Sequence, residues 1–283
     1  MKKQITPCLW FNNQAKEAAE LYCTAFADAK ISSQSPIVTE ISISGQQFIL
    51  LDGGPMYRPN PSISFYCRCE TDQEVERLWN AFSKEGTVMM ALDRYPWSEK
   101  YGWVTDKYGV SWQIGLTKAG EIGQKIVPCL MFTGKEYGRA DEALAHYAEI
   151  FKHTEIERIV RYSANEAPDV EGKVKWAAMA IDGQEFAFME SAAPHDFAFS
   201  EGVSFTVYCE TQEEIDCYWE KFTKDGEESR CGWLKDKFGV SWQIIPSMLG
   251  KIMSDPNKAG KAAQAFMAMR KLNIEQIVKA SIS

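Results

Sequence analysis

The sequence predicts an α+β protein of two tandem domains, each assembled from two β-α-β-β-β modules, with a helical tail after the second. Three observations carry this reading. The chain repeats itself once, the order strand, helix, strands starts twice within each copy, and strand signals stop after Pro246. Its 283 residues leave room for two domains of ordinary size.

Four ordered segments define the repeat. ITPCLWF at residues 5–11 returns as IVPCLMF at 126–132, and Gly45-Gln46-Gln47-Phe48 returns as Gly183-Gln184-Glu185-Phe186. SFYCRCETDQEVERLW from Ser64 returns as SFTVYCETQEEIDCYW from Ser204. YGWVTDKYGVSWQI from Tyr101 matches CGWLKDKFGVSWQI from Cys231 at ten of fourteen positions. The copies span 1–120 and 121–246, followed by a tail at 247–283. The offset between them changes only where loops are expected: the second gains length over 161–173, the first over 86–101.

Residues 5–11 read as a strand, and 14–26 as a helix, because Ala15, Ala18, Ala19, Tyr22 and Phe26 recur at three and four. Residues 37–44 alternate apolar and polar, Gly45 turns the chain, and 48–51 pair back before Asp52-Gly53-Gly54-Pro55 breaks the strand. The pattern then restarts with a strand at 63–69 and a helix cap at Thr71 or Asp72 with Glu74 following. A helix at 74–83 is built on Val75, Leu78, Trp79 and Phe82, and strands follow near Val88, Trp103 and Trp112. The Asp106-Lys107-Tyr108-Gly109 turn and its counterpart at 236–239 read as structural hairpin turns, with glycine supplying the positive φ. In the tail, a short helix, a Ser254-Asp255-Pro256 cap and a longer helix carrying Ala262, Ala263, Phe266, Met267 and Met269 end in a turn through Ile274, Ile277 and Val278. Such a tail needs a partner surface, on its own domains or on a second subunit.

Net charge −8 and the lack of a basic patch argue against nucleic acid as a partner. No apolar run approaches the length of a membrane span, and the N-terminal apolar stretch is too short for an export signal, so a cytoplasmic protein is expected. Eight cysteines without a C-x-x-C pair fit reduced thiols.

The stretches ITPCLWFNNQAKEAAELY, SFTVYCETQEEIDCYWEKF, CGWLKDKFGVSWQIIP and SDPNKAGKAAQAFMAMRKLNIEQI closely resemble PhnB-like proteins. These belong to the vicinal oxygen chelate, or glyoxalase/bleomycin-resistance, superfamily, and have been labelled 3-demethylubiquinone-9 3-methyltransferase-like. The resemblance implies paired modules curling a mixed sheet into a cup around a small-molecule site. It also implies where a divalent metal would be held: by histidine near the first strand, histidine on the fifth and glutamate on the eighth. Those positions carry Thr6, Ser64 and Gln113 in the first copy, and Val127, Ser204 and Gln243 in the second. None is a histidine or carboxylate, so no metal and no cofactor are expected. The three histidines, His146, His153 and His195, all lie in the second half and read as surface or packing residues.

If Ser64 faces the cup, alternation places Tyr66 and Arg68 beside it, Ser111 beside Gln113, and Thr206 and Tyr208 beside Ser204. The first strand offers Cys8 and Trp10, or Cys129 and Met131. The candidate ligand-binding set is Thr6, Trp10, Ser64, Tyr66, Arg68, Gln113, Ser204, Tyr208 and Gln243, with Arg68 available to a carboxylate. No catalytic group is assigned. The leading expectation is metal-free small-molecule binding, against a cup packed by its own side chains. Three further readings stand: a metal-dependent lyase, isomerase or dioxygenase using His195, Glu190 or Asp196; the labelled methyltransferase, for which no glycine-rich cofactor loop is found; and an assembly role as an internal pseudo-dimer or a homodimer.

Overall fold

The structure, a computed structural model, describes residues 5–118, 120 and 122–282. The first copy runs β1 (Thr6–Phe11), α1 (Ala15–Ala25), β2 (Lys30–Gln34), β3 (Val38–Ile43) and β4 (Gln46–Asp52). Its second module is β5 (Ile63–Cys69), α2 (Asp72–Ser83), β6 (Thr87–Tyr95), β7 (Ser98–Thr105) and β8 (Ser111–Leu116). The second copy repeats this as β9 (Ile126–Thr133), α3 (Ala140–Ile150), β10 (Thr154–Arg161), β11 (Val174–Ile181) and β12 (Gln184–Ser191). Then come β13 (Val203–Cys209), α4 (Gln212–Thr223), β14 (Glu227–Glu228), β15 (Trp233–Lys235) and β16 (Ser241–Pro246). The tail is α5 (Leu249–Met253), α6 (Ala259–Met267) and α7 (Ile274–Ile282). The α+β class and the four modules are therefore those expected. No helix among the described residues is long and apolar enough to cross a membrane.

The chain forms two compact units, one of residues 7–203 and one of 204–282 with Ile5 and Thr6. In the first, an eight-stranded sheet runs β10-β11-β12-β9-β5-β8-β7-β6. At its centre β5 pairs antiparallel with β9, setting Ser64 opposite Cys129 and Tyr66 opposite Val127. The sheet thus joins the second module of the first copy to the first module of the second copy. Strand periodicity contains no information about which strands become neighbours, so this pairing is the structure's own finding.

The first copy builds its core on the helix side. Phe65 of β5 and Trp112 of β8 are fully buried, as are Tyr22 of α1 and Phe82 of α2. The Trp112 indole stacks on Phe82 at 4.8 Å and meets Tyr22 edge-on at 5.2 Å. Phe48 of β4 closes the cluster against Phe65 at 5.3 Å. Both second-module helices start on a threonine cap, and of the two residues expected for the first it is Thr71: its hydroxyl accepts from the amide of Glu74, and that of Thr211 from the amide of Glu214.

The repeated aspartate turn is a buried knot. Asp106 accepts from the amides of Tyr108 and Val110 at 2.9 and 3.0 Å, from the Trp112 indole at 3.0 Å and from the Tyr22 hydroxyl at 2.8 Å. Asp236 accepts equivalently from Phe238, Val240 and the Trp242 indole. Burial raises the Asp106 pKa, and the four donors pull it back down. The close repetition of this turn thus has a structural cause.

In the unit of residues 204–282, the hairpin after α4 shrinks to strands of two and three residues, and the tail takes over its edge. Cys231 and Gly232 donate backbone hydrogen bonds to the carbonyls of Met269 and Arg270, both at 2.8 Å. The matching stretch of the first copy pairs with β6 instead, Tyr101 lying opposite Asp93. The Gln212 side chain binds the tail at both ends, donating to the Leu272 carbonyl and accepting from the Ile274 amide. Leu249, Ala262, Leu272 and Ile277 form the buried seam. The partner surface that the tail needs is therefore within its own unit.

Replacing Asp106 with alanine leaves four buried donors without an acceptor, and should cost about 3 kcal/mol or more in urea unfolding. Leu272→Ala should lose about 2–4 kcal/mol through the cavity it opens in the tail seam. A shift of the denaturation midpoint of less than a tenth of the total in either variant would contradict these assignments.

Candidate functional site

On the eight-stranded sheet the helices cover the face carrying Phe65, Cys67, Trp112 and Phe188, all fully buried. The opposite, cup face carries Ser64, Tyr66 and Arg68 from β5, Gln113 from β8, Cys129 and Met131 from β9, and Met189 from β12. The first-strand residues beside Ser64 are thus Cys129 and Met131. Cys8 and Trp10 lie on β1, which pairs with β4.

At the floor, the Gln113 amide donates to the Ser64 hydroxyl at 2.8 Å, and its carbonyl accepts from the Tyr101 hydroxyl at 2.6 Å. The Trp103 indole donates to Ser111 at 2.7 Å. The Cys129 thiol hydrogen-bonds to Gln113 and Ser64, but burial dominates and pushes its pKa up to about 12. Tyr101, Trp103 and Met131 pack together with Tyr66, Met90, Tyr95, Met189 and Phe197 over this floor. The floor is neutral, rich in sulfur and aromatic carbon, and its polar groups are satisfied by one another.

Toward the rim, Arg68 forms a two-pronged ion pair with Glu185, donating to one oxygen at 2.7 Å, and also donates to the Gln124 carbonyl at 3.2 Å. Its carboxylate partner is therefore internal. The Tyr66 ring crosses β8 where Gly115 has no side chain, since a Cβ there would lie 2.6 Å from the tyrosine oxygen. Beyond Tyr66 a cleft of about 650 Å³ opens under the tip of the β6–β7 hairpin, lined also by Tyr95, Trp97, Leu116 and Thr117.

The remaining candidates lie elsewhere. The Trp10 indole donates to the Gly54 carbonyl at 2.8 Å, its ring lies over Gly53, and Tyr57 meets it edge-on at 5.1 Å. In the other unit Thr6 is buried, Tyr208 is half-buried, and the Gln243 amide donates to the Ser204 hydroxyl at 3.0 Å. That unit repeats the floor bond, but Cys231 stands where the first copy has Tyr101, and the buried hydroxyls of Thr206 and Ser241 have no hydrogen-bond partner among the described residues.

Glu190 does not face the cup. Its carboxylate accepts from the amide of Ala140 at the start of α3 and from that of Val174, both at 2.7 Å, and burial raises its pKa against those two bonds. Asp52 receives Gln14 and Ala15 the same way at the start of α1. His195 is held by Ser191 at 2.9 Å, and Asp196 is exposed. Among the described residues no three histidine, cysteine or acidic side chains come together as a metal site. On the eight-stranded sheet, the positions that the family resemblance assigns to a metal carry a hydroxyl, an amide bonded at both ends and the aliphatic Val127. These donors do not fit a divalent ion.

Sequence reasoning passed over Tyr101, Trp103, Met189 and Phe197. The alternation of Tyr101 and Trp103 along β7 was the available signal for the first two; Phe197 lies outside the strands and offers no periodicity.

This architecture defines a duplicated protein with a glyoxalase-like fold. Glyoxalase I from Zea mays shares the fold with a TM-score of 0.57 at 11% identity, over 87% of this chain and 92% of that one. The family described as 3-demethylubiquinone-9 3-methyltransferase matches twice, over residues 3–115 and 124–245, and the chain belongs to that PhnB-like family. The PhnB protein from Bacillus cereus is 31% identical over 41% of this chain and all of its own length, with a TM-score of 0.39. A glyoxalase-related enzyme from Fulvimarina pelagi is 17% identical, covering 45% of this chain and 97% of its own, with a TM-score of 0.35. No curated protein matches the chain.

A neutral, buried Cys129 thiol should resist iodoacetamide in the native protein at pH 8, while the exposed Cys217 is alkylated readily. Peptide mapping after a timed pulse reads both; equal labelling of the two would refute the buried floor.

Proposed function

We propose that the cup side of the eight-stranded sheet binds a small organic molecule without a metal, with entry at the rim under the β6–β7 hairpin. The observation that carries this is the Gln113 amide clamped between Ser64 and Tyr101. The clamp leaves a neutral floor where a metal enzyme of this fold needs charged or basic donors. The cleft of about 650 Å³ beyond Tyr66 supports it, being of the size usual for small-molecule sites. Recognition at such a site rests on shape, aromatic contact and a few hydrogen bonds. The internal Arg68–Glu185 pair supports a structural use of that arginine, which steers the reading away from a carboxylate held by Arg68.

The test is a thermal-shift screen of full-length untagged protein against a metabolite panel that includes S-adenosylmethionine, with and without divalent metals, alongside elemental analysis. Ligand-induced stabilisation independent of metal, with substoichiometric metal in the purified protein, is the expected result. A stoichiometric transition metal, or stabilisation that a chelator abolishes, would favour the metal-dependent lyase, isomerase or dioxygenase. Tight binding of S-adenosylmethionine would favour methyl transfer.

A further inference from the structure

Fourteen residues lie between Gly86 and Tyr101, where only four lie between the matching Gly226 and Cys231. This added length extends β6 and β7, and its tip supplies Tyr95 and Trp97 to the cleft. In the second copy the stretch matching the start of β7 bonds to the tail instead. The wall is thus particular to the first copy, and the residues it contributes call for a physical reason.

We propose that the cleft is a binding site for a planar aromatic ring, with Trp97 as its stacking platform. This rests on the small-molecule reading above and narrows its chemistry. Trp97 is 59% exposed, so much of its indole is open to a ligand. One face of its indole is occupied, because Tyr95 stacks on it at 5.1 Å with 25° between the planes. Tyr95 in turn meets Tyr101 edge-on at 5.7 Å, and Tyr101 is fixed by its bond to Gln113. The indole is therefore held in place from the floor upward rather than swinging freely. Tyr66 also lines the cleft, with the Arg68 guanidinium 5.9 Å from its ring centre.

The ring geometry selects the ligand. Tyr95, Trp97 and Tyr101 touch one another at 5.1 to 5.8 Å, which leaves no gap to surround an ammonium group. What they offer is a flat face, and a flat ring covers it most completely. Polar substituents have partners of both signs: Arg94, Lys118, Glu70 and Glu99 line the cleft, and none is in an ion pair among the described residues.

Isothermal titration of the full-length protein with 2-naphthoate, indole and tryptamine, and with cyclohexanecarboxylate as a non-planar control, tests this. The planar compounds should bind and the control should not. Trp97→Leu should weaken binding roughly tenfold, while Trp97→Phe retains most of it. Both variants should melt with the parent protein, because the side chain is outside the core. Equal affinity of Trp97→Leu and the parent for the planar probes, or equal binding of cyclohexanecarboxylate, would overturn the aromatic assignment. If only non-aromatic metabolites bind, and do so independently of Trp97, the aromatic assignment falls while the small-molecule reading stands. If neither the probes nor any compound of the metabolite panel binds, both fall.

Discussion

The antiparallel pairing of β5 with β9 is the constraint on which the rest of the first unit depends. It makes one eight-stranded sheet out of modules from different copies, and it sets Ser64 against Cys129. A shift of that register by a single residue would turn one of these two side chains away from the cup face and bring a helix-side neighbour from its strand onto it. The register is well specified because both faces are covered: Phe65 and Cys67 must lie under the helices, and Tyr66 must cross the bare backbone at Gly115.

The floor that this pairing creates is built from neutral groups. Gln113 bonds a neutral partner at each end of its amide. The acidic side chains nearest in sequence to the strand ends perform another task. Asp52 accepts from the amides of Gln14 and Ala15 at the start of α1, and Glu190 from that of Ala140 at the start of α3, which satisfies donors that a helix start otherwise leaves to water. Carboxylates at strand ends therefore stabilise module geometry here, and the chemistry of the cup is left to hydroxyl, amide, sulfur and aromatic groups.

Much of this was legible in the sequence. The helices, the Thr71 cap, the inward and outward faces of β5 and β8 and the aspartate turn all follow from local periodicity and turn chemistry, and the structure places them accordingly. Strand β2 was not individually located, because Lys30–Gln34 is exposed throughout and carries no apolar alternation. Module pairing was also out of reach, since the cross-strand neighbours Ser64 and Cys129 are far apart in the chain. The internal ion pair of Arg68 with Glu185 was hidden for the same reason: its two members belong to different copies. The hairpin insertion was visible as a length difference, but its aromatic wall required Trp97, Tyr95 and Tyr101 to be seen stacked together.

The shared sheet has a consequence for the history of the chain. Two separate proteins can exchange partners or be lost one at a time, whereas here the strand that completes β5 is encoded further along the same polypeptide. Excising either copy would strip a row of backbone donors and acceptors along the middle of a sheet and leave a sticky edge in its place. The join between the two copies thus works as a ratchet. Their loops can differ, one copy carrying a long hairpin and the other bonding to the tail segment, but neither copy can be removed without opening the sheet.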